Sequence, residues 1–445
     1  MLAYRLIRGL LGWATLAFFR RVVVVGRHHI PREGEAAVLF CGNHPNSLLD
    51  PILVMLGCRR ILHFAAKDTL FANPVARALL NGLGAVPVRR RMDHGAAPLD
   101  NDAAFTALHD ILARRRAAGI FPEGISHDRP FLASLKTGAA RIILGAKAKH
   151  PETPMCIVPT GLHYFHRNRF RSSVLVQFGA PIWIDADAAA EPDKARVSEL
   201  TGEIETGLRA LTVNAEDWET LRVLDGVRRL YQPEGIKHEE RVELSRRFNQ
   251  VYPQVKEKPE VRALYQRVAG YVDRLDATGL DDDALRRDLG PAEVAARFLG
   301  HLALLVLWLP LALLGAPLHL PIYGLLKVAG RKLAPRKDVI ATTKFVLGIA
   351  SVLLLYLVLA VWAGLRWGWP VGVAAAVLQP LTGAAMLRVM GRAESLRRIL
   401  SSSVRMLALR REVAALREER AQLAPIVAAA VEENRPADMV PLFPR

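Results

Sequence analysis

Cysteine is scarce. The chain has three, Cys41, Cys58 and Cys156, at separations that fit neither a disulfide framework nor a metal site. They read as free thiols in a reducing compartment. Cys41 lies three residues before His44, which leaves a Cys–His nucleophile conceivable beside the plainer reading of a small buried residue at a strand end. His28, His29, His63, His163 and His166 show no metal-ligand spacing, so no metal is expected. The sequence also lacks a Gly-x-Ser-x-Gly elbow, so Ser47 is not assigned as a nucleophile. It has no internal repeat and no low-complexity tract. Aromatic residues are only 7%, and the basic residues are scattered, which argues against a nucleic-acid partner. Acidic residues are in deficit, 43 against 60 basic, giving a net charge of +17. Hydrophobic residues nevertheless make up 51% of the 445. So basic and so apolar a chain suits an anionic membrane surface.

Residues 1–25 have the layout of a signal peptide, with Arg5 and Arg8 before an apolar run, but Arg20-Arg21 stands where small residues would mark a cleavage site. The stretch reads as an interfacial helix, with Trp13, Phe18 and Phe19 at headgroup depth. Val22–Val25 then reads as a strand. From 36 to about 215, short apolar runs alternate with helical stretches. The runs include Val38–Cys41, Ile61–Ala65, Ala85–Val88, Gly119–Phe121, Met155–Pro159 and Val174–Phe178; Phe105–Arg116 and Leu135–Lys147 are among the helices. That alternation predicts an α/β domain over 26–215, a mostly parallel sheet flanked by helices. Residues 216–295 are polar and helically periodic, and read as a helical appendage.

A membrane region spans 296–390. Phe345–Leu365 and Val371–Leu387 predict a transmembrane hairpin, joined by Arg366-Trp367-Gly368-Trp369-Pro370 with interfacial tryptophans. His301–Leu326 is apolar too, but Pro310, Pro317 and Pro321 interrupt it, and it reads as re-entrant. The loop 327–344 and the tail after Arg388 are both basic. With two spans, both face the cytosol together with the α/β domain. The tail 391–445 reads as helical, a short coiled coil or a surface-bound helix, from the spacing of Leu396, Leu400, Val404, Leu407, Val413, Leu416 and Leu423.

The chemistry centres on Asn43-His44-Pro45-Asn46-Ser47-Leu48-Leu49-Asp50, at a strand-to-helix connection. A carboxylate beside an imidazole fixes its tautomer and stabilises the imidazolium, which makes a general base. Gly84-Ala85-Val86-Pro87-Val88-Arg89-Arg90-Arg91 is a strand ending in three guanidinium groups, suited to a phosphate. Phe121-Pro122-Glu123-Gly124 runs from a strand into a turn that carries a carboxylate and allows a ligand to come close. It continues as Ile125-Ser126-His127-Asp128-Arg129. His127 and Asp128 read as closing the loop before Pro130, and a second pair near the site is the other option. Lys136 either reaches the phosphates of an acyl donor or is a solvated helix start. Val158-Pro159-Thr160 is a further strand end.

These four stretches, in this order, resemble the glycerolipid acyltransferase family of glycerol-3-phosphate and lysophosphatidic acid acyltransferases, over about residues 30–215. The resemblance implies His44 and Asp50 as the catalytic pair and Arg90 as the contact to the acceptor phosphate, helped by Arg89 or Arg91. It implies Glu123, Gly124, Ser126 and Pro159 as substrate-site residues. The chain departs from the commoner pattern in having five residues between His44 and Asp50, and Ser126 where the third block usually has arginine. Both features are similar to the fungal dual-substrate glycerol-3-phosphate/dihydroxyacetone-phosphate branch. The expected function is transfer of a fatty acyl group from acyl-CoA or acyl-carrier protein to glycerol 3-phosphate or lysophosphatidic acid in phospholipid synthesis. No cofactor beyond the acyl donor is expected. The expected setting is an integral membrane protein with its catalytic domain on the cytosolic face. A lipid-binding scaffold without turnover is the alternative.

Overall fold

The computed structural model of the chain describes residues 2–95, 100–185, 193–286 and 290–443. The chain forms two units. The first comprises Met1–Asp217, Lys237–Arg246 and Pro335–Thr342, and the second comprises Trp218–Ile236, Arg247–Ala334 and Thr343–Arg445.

The first unit is built on eight strands: β1 (Arg21–Val25), β2 (Ala37–Gly42), β3 (Leu62–Lys67), β4 (Val86–Val88), β5 (Ala117–Ile120), β6 (Met155–Tyr164), β7 (Ser173–Phe178) and β8 (Ile182–Ile184). Their order is β1-β7-β6-β2-β5-β3-β4, with β8 also on β6. Every pairing is parallel except those of β6 with β7 and β8. Its helices are α1 (Leu2–Phe18), α2 (Leu49–Gly57), α3 (Pro74–Gly82), α4 (Arg91–His94), α5 (Asp102–Ala113), α6 (Gly138–Lys149) and α7 (Lys194–Arg209).

A parallel strand needs cover on both faces, so its sequence is an unbroken apolar run. Every residue of β2 is buried. Leu39 and Cys41 join a core with Leu108 and Leu112 of α5, Ile142 and Ile143 of α6, and Leu200 and Ile204 of α7. Phe40 instead meets Phe178 of β7, against which α2 packs. The C-terminal ends of β2, β5, β3 and β4 lie along one sheet edge, where open α/β sheets bind ligands.

Phe18 and Phe19 are buried in the protein rather than at lipid depth. Phe18 packs edge-on against Phe19 and Phe170. The outward stripe of α1 is Leu2, Leu6, Trp13 and Leu16, at helical spacing.

The second unit is helical: α8 (Trp218–Tyr231), α9 (His238–Val255, whose first half belongs to the first unit), α10 (Pro259–Thr278), α11 (Asp282–Arg286), α12 (Pro291–Lys332), α13 (Ile340–Trp367, starting in the first unit), α14 (Trp369–Ala408) and α15 (Arg410–Glu433). Three helices, Ala292–Lys332, Lys337–Trp367 and Trp369–Ala408, are long and apolar enough to cross a membrane. Leu307, Leu314, Leu354, Leu357 and Val377 are exposed on them, a surface that calls for lipid.

The re-entrant reading of 301–326 is corrected here. Pro310, Pro317 and Pro321 lie inside one continuous 42-residue helix. A proline frees one carbonyl and removes one N–H, which an apolar helix tolerates when neighbouring helices compensate. Here α12 lies along α14. His319 of α12 hydrogen-bonds Tyr356 of α13, whose hydroxyl also lies 3.2 Å from the Gln379 carbonyl of α14. Gly364 and Gly372 let α13 and α14 touch backbone to backbone, since a Cβ at Gly372 would lie 2.9 Å from the Gly364 Cα.

The tail differs as well. The helix of the last apolar segment runs on to Ala408, and α15 is a separate helix. It is neither a coiled coil nor a surface helix: Val413, Leu416 and Leu423 are buried with Val223, Val268 and Tyr271 of α8 and α10.

Candidate functional site

The turn between β2 and α2 holds the imidazole in place. His44 Nδ1 lies 2.8 Å from Asp50 Oδ2. Asp50 is fully buried, and its carboxylate is saturated with donors. Oδ2 also accepts the Asn46 N–H at 2.7 Å, and Oδ1 accepts the Tyr164 hydroxyl at 2.6 Å. An acceptor-only partner makes Nδ1 the protonated nitrogen. Nε2 is the other nitrogen, and no protein group among the described residues hydrogen-bonds it. The ring is stacked on Phe121, centroids 4.1 Å apart and planes 8° from parallel, and Phe121 is stacked on Phe64. Ser47 completes the tight turn with φ 48°.

Tyr164 carries no signal in the sequence. It comes from the far end of β6, and burial, together with the Asp50 charge, pushes its phenol well above the usual range. It therefore stays neutral and remains a donor. Asn43 is a second such residue, since its side-chain amide both donates to and accepts from the Leu162 backbone, tying the turn to β6.

Glu123 reaches the same turn. Its carboxylate is buried. Oε1 accepts the His44 N–H at 2.7 Å, and Oε2 accepts the Ala133 N–H and lies 2.5 Å from His127 Nε2. Both oxygens are engaged by protein groups, so the carboxylate shapes this part of the site through the backbone. His127 thus forms a second imidazole–carboxylate pair beside the first, where the sequence favoured a plain loop closure. Asp128 is paired instead with Arg167.

Arg90 reaches the same turn. Its Nη1 donates to the Gly124 carbonyl at 2.8 Å, and Asp93 takes Nε and Nη2. Gly124, at φ 72°, makes the turn possible. The His44 backbone and the Arg90 guanidinium are therefore both anchored on the Glu123–Gly124 segment, at one edge of the sheet. Arg89 is exposed and faces Asp68 at 3.8 Å, away from that segment. The side chain of Arg91 lies outside the described residues. Lys136 is exposed, and only its backbone N–H is tied in, to the Pro122 carbonyl.

Ser126 is buried and donates to Asp338 Oδ2 at 2.5 Å. Arg336 Nη2 contacts both groups, at 3.2 Å from Ser126 Oγ and 2.9 Å from Asp338. Thr342 Oγ1 donates to the Asn46 carbonyl in the turn that carries His44. These three residues come from Pro335–Thr342, more than two hundred positions away, and no local motif signals them.

Pro159, like Arg89, lies apart from the residues gathered on this turn. It is buried inside β6, at the point where pairing with β8 ends and pairing with β7 begins, and its ring fills the space above Gly207. A strand interior tolerates proline at such a change of partner. Cys41 is also excluded as a nucleophile, because complete burial raises its thiol far above the usual range. His29, His63 and His163 each hydrogen-bond a backbone carbonyl. Among the described residues, no group of three or more His, Cys, Asp or Glu could hold a metal ion.

Comparison with known proteins adds two domains. Residues 21–162 match the family model described as Acyltransferase. Residues 223–439 match the model described as Glycerol-3-phosphate acyltransferase 2 C-terminal domain. The chain is 34% identical over 281 residues to glycerol-3-phosphate O-acyltransferase 2 of Saccharomyces cerevisiae, covering 59% of this chain and 38% of the relative. It is 32% identical over 288 residues to glycerol-3-phosphate O-acyltransferase 1 of the same yeast, covering 59% and 37%. The matches thus span less than two fifths of these relatives' length. Among solved structures, the 1-acyl-sn-glycerophosphate acyltransferase PlsC of Thermotoga maritima aligns with a TM-score of 0.34 at 21% identity, over 47% of this chain and 78% of that one.

Proposed function

We propose that the chain, whose residues 21–162 and 223–439 match acyltransferase family models, is a membrane-bound O-acyltransferase. In this reading it moves a fatty acyl group from a thioester, acyl-CoA or acyl-carrier protein, to a glycerol phosphate-type acceptor. One observation carries the reading: His44 is locked by Asp50 through Nδ1, and no protein group among the described residues holds Nε2.

The acceptor hydroxyl attacks the thioester carbonyl carbon while Nε2 takes its proton. The C–S bond then breaks, and the departing thiolate recovers that proton from the imidazolium. A thioester is already activated, so no covalent acyl-enzyme is needed. Base catalysis of this kind contributes about 10²–10⁴-fold. Asp50 stabilises the imidazolium, and Tyr164 and the Asn46 N–H keep Asp50 aimed. The N–H groups of the turn before α2 are our candidates for the developing oxyanion. Arg90 holds the acceptor phosphate, which raises the rate through positioning. Glu123 fixes the His44 backbone and the 127–133 loop.

Of the two acceptors, sn-glycerol 3-phosphate is favoured over lysophosphatidic acid by the names of the two yeast relatives. We place the catalytic unit on the cytosolic face, on the basic character of residues 327–344. Incubating the purified chain with labelled acyl-CoA and a panel of acceptors tests the reading. The expected result is acylation of sn-glycerol 3-phosphate in preference to lysophosphatidic acid and unphosphorylated glycerol. Binding of the same lipids with no transfer to any acceptor would leave a scaffold without turnover.

A further inference from the structure

Two guanidinium groups are anchored on the Gly124–Ser126 turn. Arg90 donates to the Gly124 carbonyl, with Asp93 as its carboxylate. Arg336 donates to the Ser126 hydroxyl, with Asp338 as its carboxylate. The two arrangements match in kind: each arginine has one neutral partner on the turn and one acidic partner from its own segment. Asp338 and Ser126 are almost fully buried, so the tether on Arg336 is rigid. The Arg336 side chain itself is 53% exposed. Only Nη2 is engaged, which leaves Nε and Nη1 with no partner among the described residues.

A guanidinium held by one nitrogen and open on its other edge is pre-organised for a tetrahedral oxyanion, which accepts several charge-assisted hydrogen bonds at once. Arg336 alone has that open edge, since Nε, Nη1 and Nη2 of Arg90 each already hold an acceptor, and the shared three-residue turn brings the second guanidinium to the segment that anchors the first. The segment that brings Arg336 is clamped at its other end as well, where Thr342 donates to the Asn46 carbonyl two residues after His44. The same strap therefore touches the phosphate side and the imidazole side of the site.

We propose that Arg336, supplied by the segment between α12 and α13, is a second ligand of the acceptor phosphate and acts together with Arg90. The proposal rests on the acyltransferase reading for the identity of the acceptor, but not for the existence of the anion site. It makes Asp338 and Ser126 positioning residues that hold Arg336 by its Nη2 edge. Specificity for a phosphorylated acceptor is then shared between the α/β sheet and a segment far away in sequence.

The test uses the full-length chain in detergent or nanodiscs, and reads binding and turnover separately. Binding of sn-glycerol 3-phosphate and of inorganic phosphate is measured by calorimetry, with Arg336→Ala, Arg336→Lys and Asp338→Asn beside the wild type and a thermal melt on each. Arg336→Ala is expected to weaken both anions about ten- to a hundredfold, the loss of a charge-assisted donor set. Arg336→Lys should recover part of that loss. KM for the acceptor should rise in parallel, with KM for the acyl donor unchanged. Unchanged anion affinity in a folded Arg336→Ala variant overturns the proposal. So does a rise in KM confined to the acyl donor, or a wild type that binds neither anion. A wild type that binds both anions, loses them on Arg336→Ala and transfers no acyl group supports the anion site while removing the acyltransferase reading.

Discussion

At the scale of single residues, the site depends on how fully Asp50 is committed. Three donors converge on one buried carboxylate, and one of them, Tyr164, is invisible in the sequence because it arrives from a strand more than a hundred residues away. The His–Asp pair, by contrast, is legible because both members sit on one short turn. Replacing Tyr164 by Phe keeps the ring and removes the hydroxyl, leaving Oδ1 buried without its donor. The expected cost is about 1–3 kcal/mol of stability, with a fall in kcat larger than any change in either KM. Chemical denaturation and steady-state kinetics on Tyr164→Phe measure both. A variant with wild-type kcat would show that Asp50 is aimed without it. Glu123 teaches a related lesson. Its place in a Pro-Glu-Gly turn suggests ligand contact, but a carboxylate with both oxygens filled by N–H groups and an imidazole serves the backbone first.

At the scale of elements, aromatic stacking connects the sheet to the base. Gly119 of β5 lies opposite Phe64 of β3 in the strand register. A Cβ there would lie 2.5 Å from the Phe64 ring. Phe64 stacks on Phe121, and Phe121 on His44, so a push at Gly119 travels through two rings to the imidazole. Gly119→Ala is expected to lower kcat by about 10²-fold, the size of effect that a displacement of about 1 Å produces in a positioned catalytic group, with acceptor KM little changed. A wild-type rate in Gly119→Ala would mean that the stack absorbs the push before it reaches His44. The strand and helix alternation of the first unit was readable because parallel strands are continuous apolar runs and their connecting helices are amphipathic. The errors fell where tertiary context overrides a local signal. Three prolines argue for a broken 301–326, yet packing along α14 keeps it one helix. Val158-Pro159-Thr160 reads as a strand end, and only the family resemblance puts Pro159 at the site; the strand continues and changes partner there.

At the scale of the whole molecule, the segment Pro335–Thr342 is the informative one. It lies between two helices long enough to cross a bilayer, and it belongs to the unit that carries His44. It must therefore lie on the same side of the membrane as His44. Single cysteines at 336 and 337, in a background lacking Cys41, Cys58 and Cys156, should react with a membrane-impermeant maleimide from the side on which residue 129 reacts. Labelling from the opposite side would contradict this placement. No inspection of local pattern reveals such a segment, because its partners Ser126 and Asn46 are defined only once the chain has folded.

The central claim is that an imidazole free at Nε2 performs the chemistry of acyl transfer. Its most direct test is the initial rate of labelled acyl transfer from acyl-CoA to sn-glycerol 3-phosphate by purified wild-type chain and by His44→Ala, with matched thermal melts. The account predicts measurable transfer by the wild type and a fall of about 10²–10⁴-fold in a variant that melts like it. A folded His44→Ala chain that transfers at near the wild-type rate would contradict the account.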